Sequence, residues 1–103
     1  MKGFYDLNMR LKKEFIIRDV AGQDIIVATG KAAMKYNGLL TVSPVGRFIL
    51  EHYRNAKDIS DLVNMVLEEY EVDFETASKD VIGFTNTMLE YGFIEMNDSQ
   101  KGW

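Results

Sequence analysis

The sequence predicts an α+β domain in which an N-terminal three-stranded antiparallel sheet is followed by a three-helix winged helix-turn-helix-like bundle. Three observations carry this. Before residue 43 the apolar segments are short, rich in Ile and Val and interrupted by glycine, which suits strands and turns. After residue 44 the apolar residues recur at spacings of three and four, which suits helix faces. Between the two regimes stands Ser43-Pro44. Proline drives the preceding residue toward extended geometry and fixes its own φ near the helical value, so Ser43 can serve as N-cap with Pro44 at the first helical position.

Residues 1–12, MKGFYDLNMRLK, mix charges with Phe4, Tyr5, Leu7 and Met9 in no clean period and read as an arm with room for a short strand. Phe15-Ile16-Ile17-Arg18 and Ile25-Ile26-Val27-Ala28 flank the turn-rich residues 19–24 and predict a β-hairpin. Residues 29–37 read as a loop of small residues. Asn37-Gly38, both tolerant of positive φ, can turn the chain into a third strand, Leu39 to Val42, closing an antiparallel meander. In the first helix Val45, Phe48, Ile49, His52 and Tyr53 share a face. Asp58, with Asp61 three residues on, caps a second helix over 59–70 whose stripe is Leu62, Val63, Val66, Leu67 and Tyr70. Asp73 caps a third, with Phe74, Ala77, Val81, Phe84 and Met88 on one face down to Tyr91, and Gly92 stops it. Phe93 to Met96 is either a final strand or an extended segment packed on the bundle. Residues 1–96 form the single domain, and residues 97–103 a polar tail.

At 103 residues and 47% hydrophobic, one domain of this size buries roughly 60–70% of its unfolded surface. No cysteine occurs, which excludes disulfides, zinc–thiolate sites, iron–sulfur clusters and cysteine nucleophiles. The longest apolar runs are about four residues, far short of the roughly 20 that span a bilayer, and the N-terminus lacks the apolar stretch of a signal peptide. A cytoplasmic location with no membrane partner is expected. The net charge of −4 is uneven: residues 1–35 hold seven Lys or Arg against four Asp or Glu, and residues 36–103 hold five against twelve. A helix-turn-helix suggests DNA first, yet the would-be recognition helix carries Glu75, Asp80 and Glu90 against Lys79 alone and has no arginine. Since nucleic-acid binding rests on neutralising phosphates, no nucleic-acid partner is expected.

No phosphate loop, HExxH, Gly-x-Ser-x-Gly or calcium-loop spacing occurs. The chain is therefore not read as an enzyme, and no catalytic residue, metal or cofactor is assigned. His52, the only histidine, lies on an apolar helix face and reads as packed rather than as a base or ligand. The cluster Glu68, Glu69, Glu71, Asp73 and Glu75 reads as two solvated helix ends rather than a cation site. Gly83 has two readings. An interior helix glycine costs about 1 kcal/mol relative to alanine: it reflects either sequence drift or tight packing on the sheet, or else something extended passes close to its backbone.

The succession Phe15 to Gly22, Asn37 to Val42 and Val45-Gly46-Arg47-Phe48-Ile49, followed by Asp58 to Leu62, Glu68-Glu69-Tyr70, Asp80-Val81 and Tyr91-Gly92-Phe93-Ile94, resembles the PqqD family, named for coenzyme PQQ synthesis protein D. The likeness covers about residues 13–96, and it is carried by order and spacing rather than by any one piece. Members usually have Leu-Asn-Glu where this chain has Val42-Ser43-Pro44; Ser43 retains the capping chemistry.

The resemblance implies a RiPP recognition element, a peptide-binding chaperone that captures the leader of a ribosomally made precursor peptide and presents it to a modifying enzyme, often of the radical SAM type. An exposed strand edge, with unpaired N–H and C=O groups, can be extended by a guest strand through β-augmentation. By family analogy the edge is the third strand, Leu39, Leu40, Thr41 and Val42, and the opposite wall is the third helix, where Lys79, Ile82, Gly83, Asn86 and Glu90 share a face offset from the core stripe. Exposed edges also permit a homodimer by strand swapping. The alternative is an acidic winged-helix regulator acting through protein contacts or weak DNA binding.

Overall fold

A computed structural model describes residue 7, residues 9–35 and residues 40–96, with Met96 described by its backbone. Leu39, the Asn37-Gly38 turn and the tail over 97–103 lie outside the described residues. The α+β architecture is present: a sheet of three antiparallel strands packs on helices, and a second ribbon of two strands closes beside them.

β2 (Phe15–Val20) and β3 (Gln23–Ala28) pair antiparallel from Phe15↔Ala28 to Val20↔Gln23. Only Ala21-Gly22 turns, so the expected turn over 19–24 is shorter than its composition suggested. Both residues have positive φ, 54° and 84°, the backbone that matches a two-residue loop to the twist of its strands. Glycine adopts it freely, alanine does not, and Asp19 Oδ1 accepts the Gly22 N–H at 3.0 Å to hold it. Asp19 and Asp24 then face each other across the ladder, an unfavourable like-charge pair. Arg47 offsets it, its Nη1 lying 2.6 Å from Asp24 Oδ1.

The third strand of this sheet, β4 (Leu40–Val42), pairs with β3 from Asp24↔Val42 to Ile26↔Leu40. Alternation sends Phe15, Ile26 and Val42 into the core and leaves Ile16 and Val20 exposed on the other face. Between β3 and β4 the expected loop contains one helical turn, α1 (Ala32–Lys35). Alanine, methionine and lysine are good helix formers, and Thr29, Gly30 and Lys31 carbonyls accept its first N–H groups at 3.1 Å.

The remaining helices begin where their caps predict. Ser43, at ψ 166°, accepts the Gly46 N–H on its Oγ at 3.0 Å and opens α2 (Pro44–His52). A 3₁₀ turn, Tyr53–Asn55, follows. The buried side of this helix is Gly46, Ile49 and Leu50, continued by Tyr53, whereas Val45 and Phe48 are half-buried. The core face is thus rotated from the expected one, and this helix contacts residues 9–11 as well as the two later helices, residues 59–69 and 74–91. His52 stacks on Phe48 at 4.0 Å, and Phe48 meets Tyr70 edge-on at 5.6 Å. Asp58 accepts the Asp61 N–H at 2.8 Å to open α3 (Ile59–Glu69), which buries Leu62, Val63 and Val66.

Asp73 accepts the Thr76 N–H at 2.8 Å at the start of α4 (Phe74–Tyr91). Hydrogen bonding from Thr76 holds the Asp73 carboxyl below its ordinary value. Ala77, Val81, Thr85 and Met88 are buried; Phe74, expected on that face, is 64% exposed because it starts the helix before the stripe reaches the core. Gly92 stops the helix at φ 79°, its N–H reaching the Leu89 carbonyl at 3.1 Å. β5 (Ile94–Met96) pairs antiparallel with β1 (Met9–Leu11), so the terminal segment is a strand and the arm supplies its partner. Arg10 Nη2 and Glu95 Oε2, opposite each other, close to 3.0 Å.

Candidate functional site

The sheet order β2-β3-β4 places β4 at an edge, with no strand of the described residues on its outer side. Leu40 is half-buried, Thr41 exposed and Val42 buried at 5% exposure. Val42 therefore offers only its backbone, while its side chain anchors the strand to the core. Because Ser43 joins β4 to α2 without a loop, the edge runs directly into the first turn of that helix.

A cavity of about 340 Å³ opens at this joint, lined by Ser43, Val45, Gly46 and Ile49 on one side and by Lys79, Asp80 and Phe84 of α4 on the other. Its floor is apolar and its rim polar. The volume lies at the low end of the roughly 300–1,000 Å³ typical of ligand clefts. Two contacts hold its walls. Gly46 lets α4 approach: a Cβ there would lie 2.9 Å from Phe84 Cε1. Behind it Tyr53 Oη and Thr85 Oγ1 lie 2.8 Å apart in a buried hydrogen bond, and burial pushes the Tyr53 phenol up to about 12.

On the β3 side Arg47 clamps the joint, pairing with Asp24 and, through Nε at 2.9 Å, with Glu51. These hydrogen bonds, that to Glu51 first, hold its guanidinium above its ordinary value. Lys79, 77% exposed, reaches Glu75 at 3.7 Å across one helical turn, a contact worth little in water.

Of the site residues expected from sequence, Lys79 lines the cavity and β4 leads into it. Ile82, Gly83, Asn86 and Glu90 are all exposed and continue one face of α4 beyond it, outside the cavity lining. Nothing lies within 4 Å of where a Cβ on Gly83 would stand, which removes the tight-packing reading of that glycine. Ser43, Val45, Gly46, Ile49, Asp80 and Phe84 were not expected in a site. Their periodicity assigned Val45, Ile49 and Phe84 to the core, and their partial placement at its margin is a tertiary result. Among the described residues no group of three or more His, Cys, Asp or Glu could hold a metal ion, and no helix is long and apolar enough to cross a membrane.

Comparison with known proteins gives concordant results. One similar solved structure is "Lasso peptide synthetase B1 complexed with the leader peptide", 16% identical, covering 85% of this chain and 98% of that one at a TM-score of 0.67. Another is "TbiB1 in Complex with the TbiA(beta) Leader Peptide", 15% identical, covering 84% and 94% at a TM-score of 0.63. At such identities these likenesses establish the fold. A comparison with curated proteins returned no significant match. A family model matches residues 14–94, the span from the first strand of the sheet to the start of the last strand, and the chain therefore belongs to the family described as coenzyme PQQ synthesis protein D (PqqD).

Proposed function

We propose that this protein is a peptide-binding chaperone that captures the leader of a ribosomally synthesised precursor and presents it to a modifying enzyme, without catalysing a step itself. The observation that carries the reading is the junction of a strand edge left unpaired among the described residues with a cavity of apolar floor and polar rim. β4 supplies main-chain donors and acceptors for a guest strand, and the space between α2 and α4 receives guest side chains. The guest adds to the sheet beside Leu40, Thr41 and Val42, enters the cavity past Ser43 and Lys79, and continues along α4 beside Ile82, Gly83, Asn86 and Glu90. The two similar structures, whose names specify a bound leader peptide, support this reading. In the absence of a guest the same edge is where a second copy would pair.

An amide NMR titration of the labelled protein with the precursor peptide encoded beside its gene tests the proposal. Saturable shifts clustered at residues 40–42 and 79–90 are expected. A spectrum unchanged at millimolar peptide would overturn leader binding, and a duplex DNA titration would then decide for or against the winged-helix regulator.

A further inference from the structure

We infer that a second groove, on a different flank of α2, docks an acidic segment of the modifying enzyme carrying an apolar anchor residue. The inference rests on the leader-binding reading. This groove, about 450 Å³, lies where β1 and β2 meet the C-terminal half of α2 and the 3₁₀ turn. Its floor includes Leu11, Ile17 and Leu50, and its rim carries Arg10, Lys13, Glu51 and Arg54. Val45 and Ile49 of α2 face the leader cavity, whereas Leu50 and Glu51 face this groove, and the two linings share no residue.

The charges select the occupant. Glu51, the one carboxylate of the rim, is already paired with Arg47 at 2.9 Å, and Arg10 is paired with Glu95 at 3.0 Å. Lys13 and Arg54 are exposed and have no ion-pair partner among the described residues. A chain of net charge −4 therefore presents two unneutralised cations beside an apolar floor. Charge of that kind steers and registers an acidic partner, while the desolvated floor supplies the affinity. A module that holds a leader while delivering it needs a contact surface that stays open when the leader site is filled. This groove satisfies that condition. Two cations within an acidic molecule form too small a footprint for a nucleic-acid backbone.

The test is a fluorescence-anisotropy titration of the full-length dye-labelled chain with the modifying enzyme encoded beside its gene, with leader affinity measured in parallel. The variant is the double charge reversal Lys13→Glu with Arg54→Glu. Both side chains are exposed and have no ion-pair partner among the described residues, so its melting temperature should match that of the wild type. Enzyme affinity should fall at least about ten-fold at low salt and the difference should shrink near about 0.5 M salt, where the charges are screened. Leader affinity should not change. The inference is overturned if the variant binds the enzyme as tightly as the wild type, if the wild type does not bind the enzyme, or if the variant alters only self-association. Failure of the wild type to bind leader would instead bring down the earlier reading.

Discussion

Gly83→Ala separates two properties that the proposed binding mode joins at one position. Gly83 lies in the interior of α4, is exposed, and has nothing within 4 Å of an added Cβ. The methyl meets no neighbour, so the helix gains the propensity difference between alanine and glycine, about 1 kcal/mol. For a domain of this length that raises the melting temperature by roughly 4–8 °C. If a guest backbone passes against the helix here, the same methyl intrudes on it. A clash worth about 1.4 kcal/mol lowers leader affinity ten-fold. Thermal melts and calorimetric titration with the precursor peptide read both quantities on one variant. A lower melting temperature would refute the open environment of Gly83, and a raised one with unchanged affinity would remove this residue from the guest's path. Gly46→Ala is the contrast. Its Cβ would stand 2.9 Å from Phe84 Cε1 and 3.3 Å from Cζ, so the ring must shift. Overpacking of about 1–3 kcal/mol outweighs the propensity gain, lowering stability and narrowing the cavity.

Ser43→Ala removes the Oγ that accepts the Gly46 N–H; urea denaturation should show a loss of about 1 kcal/mol. Tyr53 is fully buried with its phenol pushed up to about 12, above the ordinary value of about 10. Folding favours its neutral form, so that stability is complete below about pH 10 and is lost as pH rises through about 12. Tyr53→Phe should flatten this part of the alkaline melting profile, while costing roughly 1 kcal/mol at neutral pH through the lost bond to Thr85. Asp73 behaves oppositely: its lowered carboxyl contributes above the ordinary carboxylate range and loses that contribution as pH falls through its folded value. Asp73→Asn keeps a good cap without the charge, so melts between pH 5 and pH 2 should show a smaller fall than in the wild type.

What was legible in the sequence was local. Ser43, Asp58, Asp73 and Gly92 define helix ends through bonds to residues within one turn, and each does so in the fold. The two apolar runs flanking the turn-rich residues 19–24 encoded a hairpin, but its turn includes an alanine at φ 54°, which composition does not favour. α1 was hidden because four residues give too short a period to detect. The pairing of Met9–Leu11 with Ile94–Met96 joins segments from opposite ends of the chain, and nothing nearby in sequence specifies it. The glycines show the same boundary. Propensity drew notice to Gly83, while the close approach occurs at Gly46 against Phe84, a contact that only the packing of α2 on α4 creates.

The edge itself restricts how a guest can be bound. β4 has three residues and is followed at once by Ser43-Pro44, whose proline carries no N–H and continues as helix. Short edges ending in proline resist indiscriminate pairing with other chains. They also make few backbone bonds: at about 0.5–1.5 kcal/mol net each, a three-residue edge contributes only a few kcal/mol. Association costs an estimated 4–15 kcal/mol in lost freedom, so main-chain pairing alone does not retain a peptide. In the proposed binding mode the remainder comes from guest side chains buried between Val45, Ile49 and Phe84, at roughly 25 cal/mol per Å² of apolar surface. Every strand offers the same backbone, so the proposed mode assigns selection among peptides to the cavity, and substitutions at Phe84 or Gly46 should then change which leaders bind more than substitutions at exposed Thr41 do.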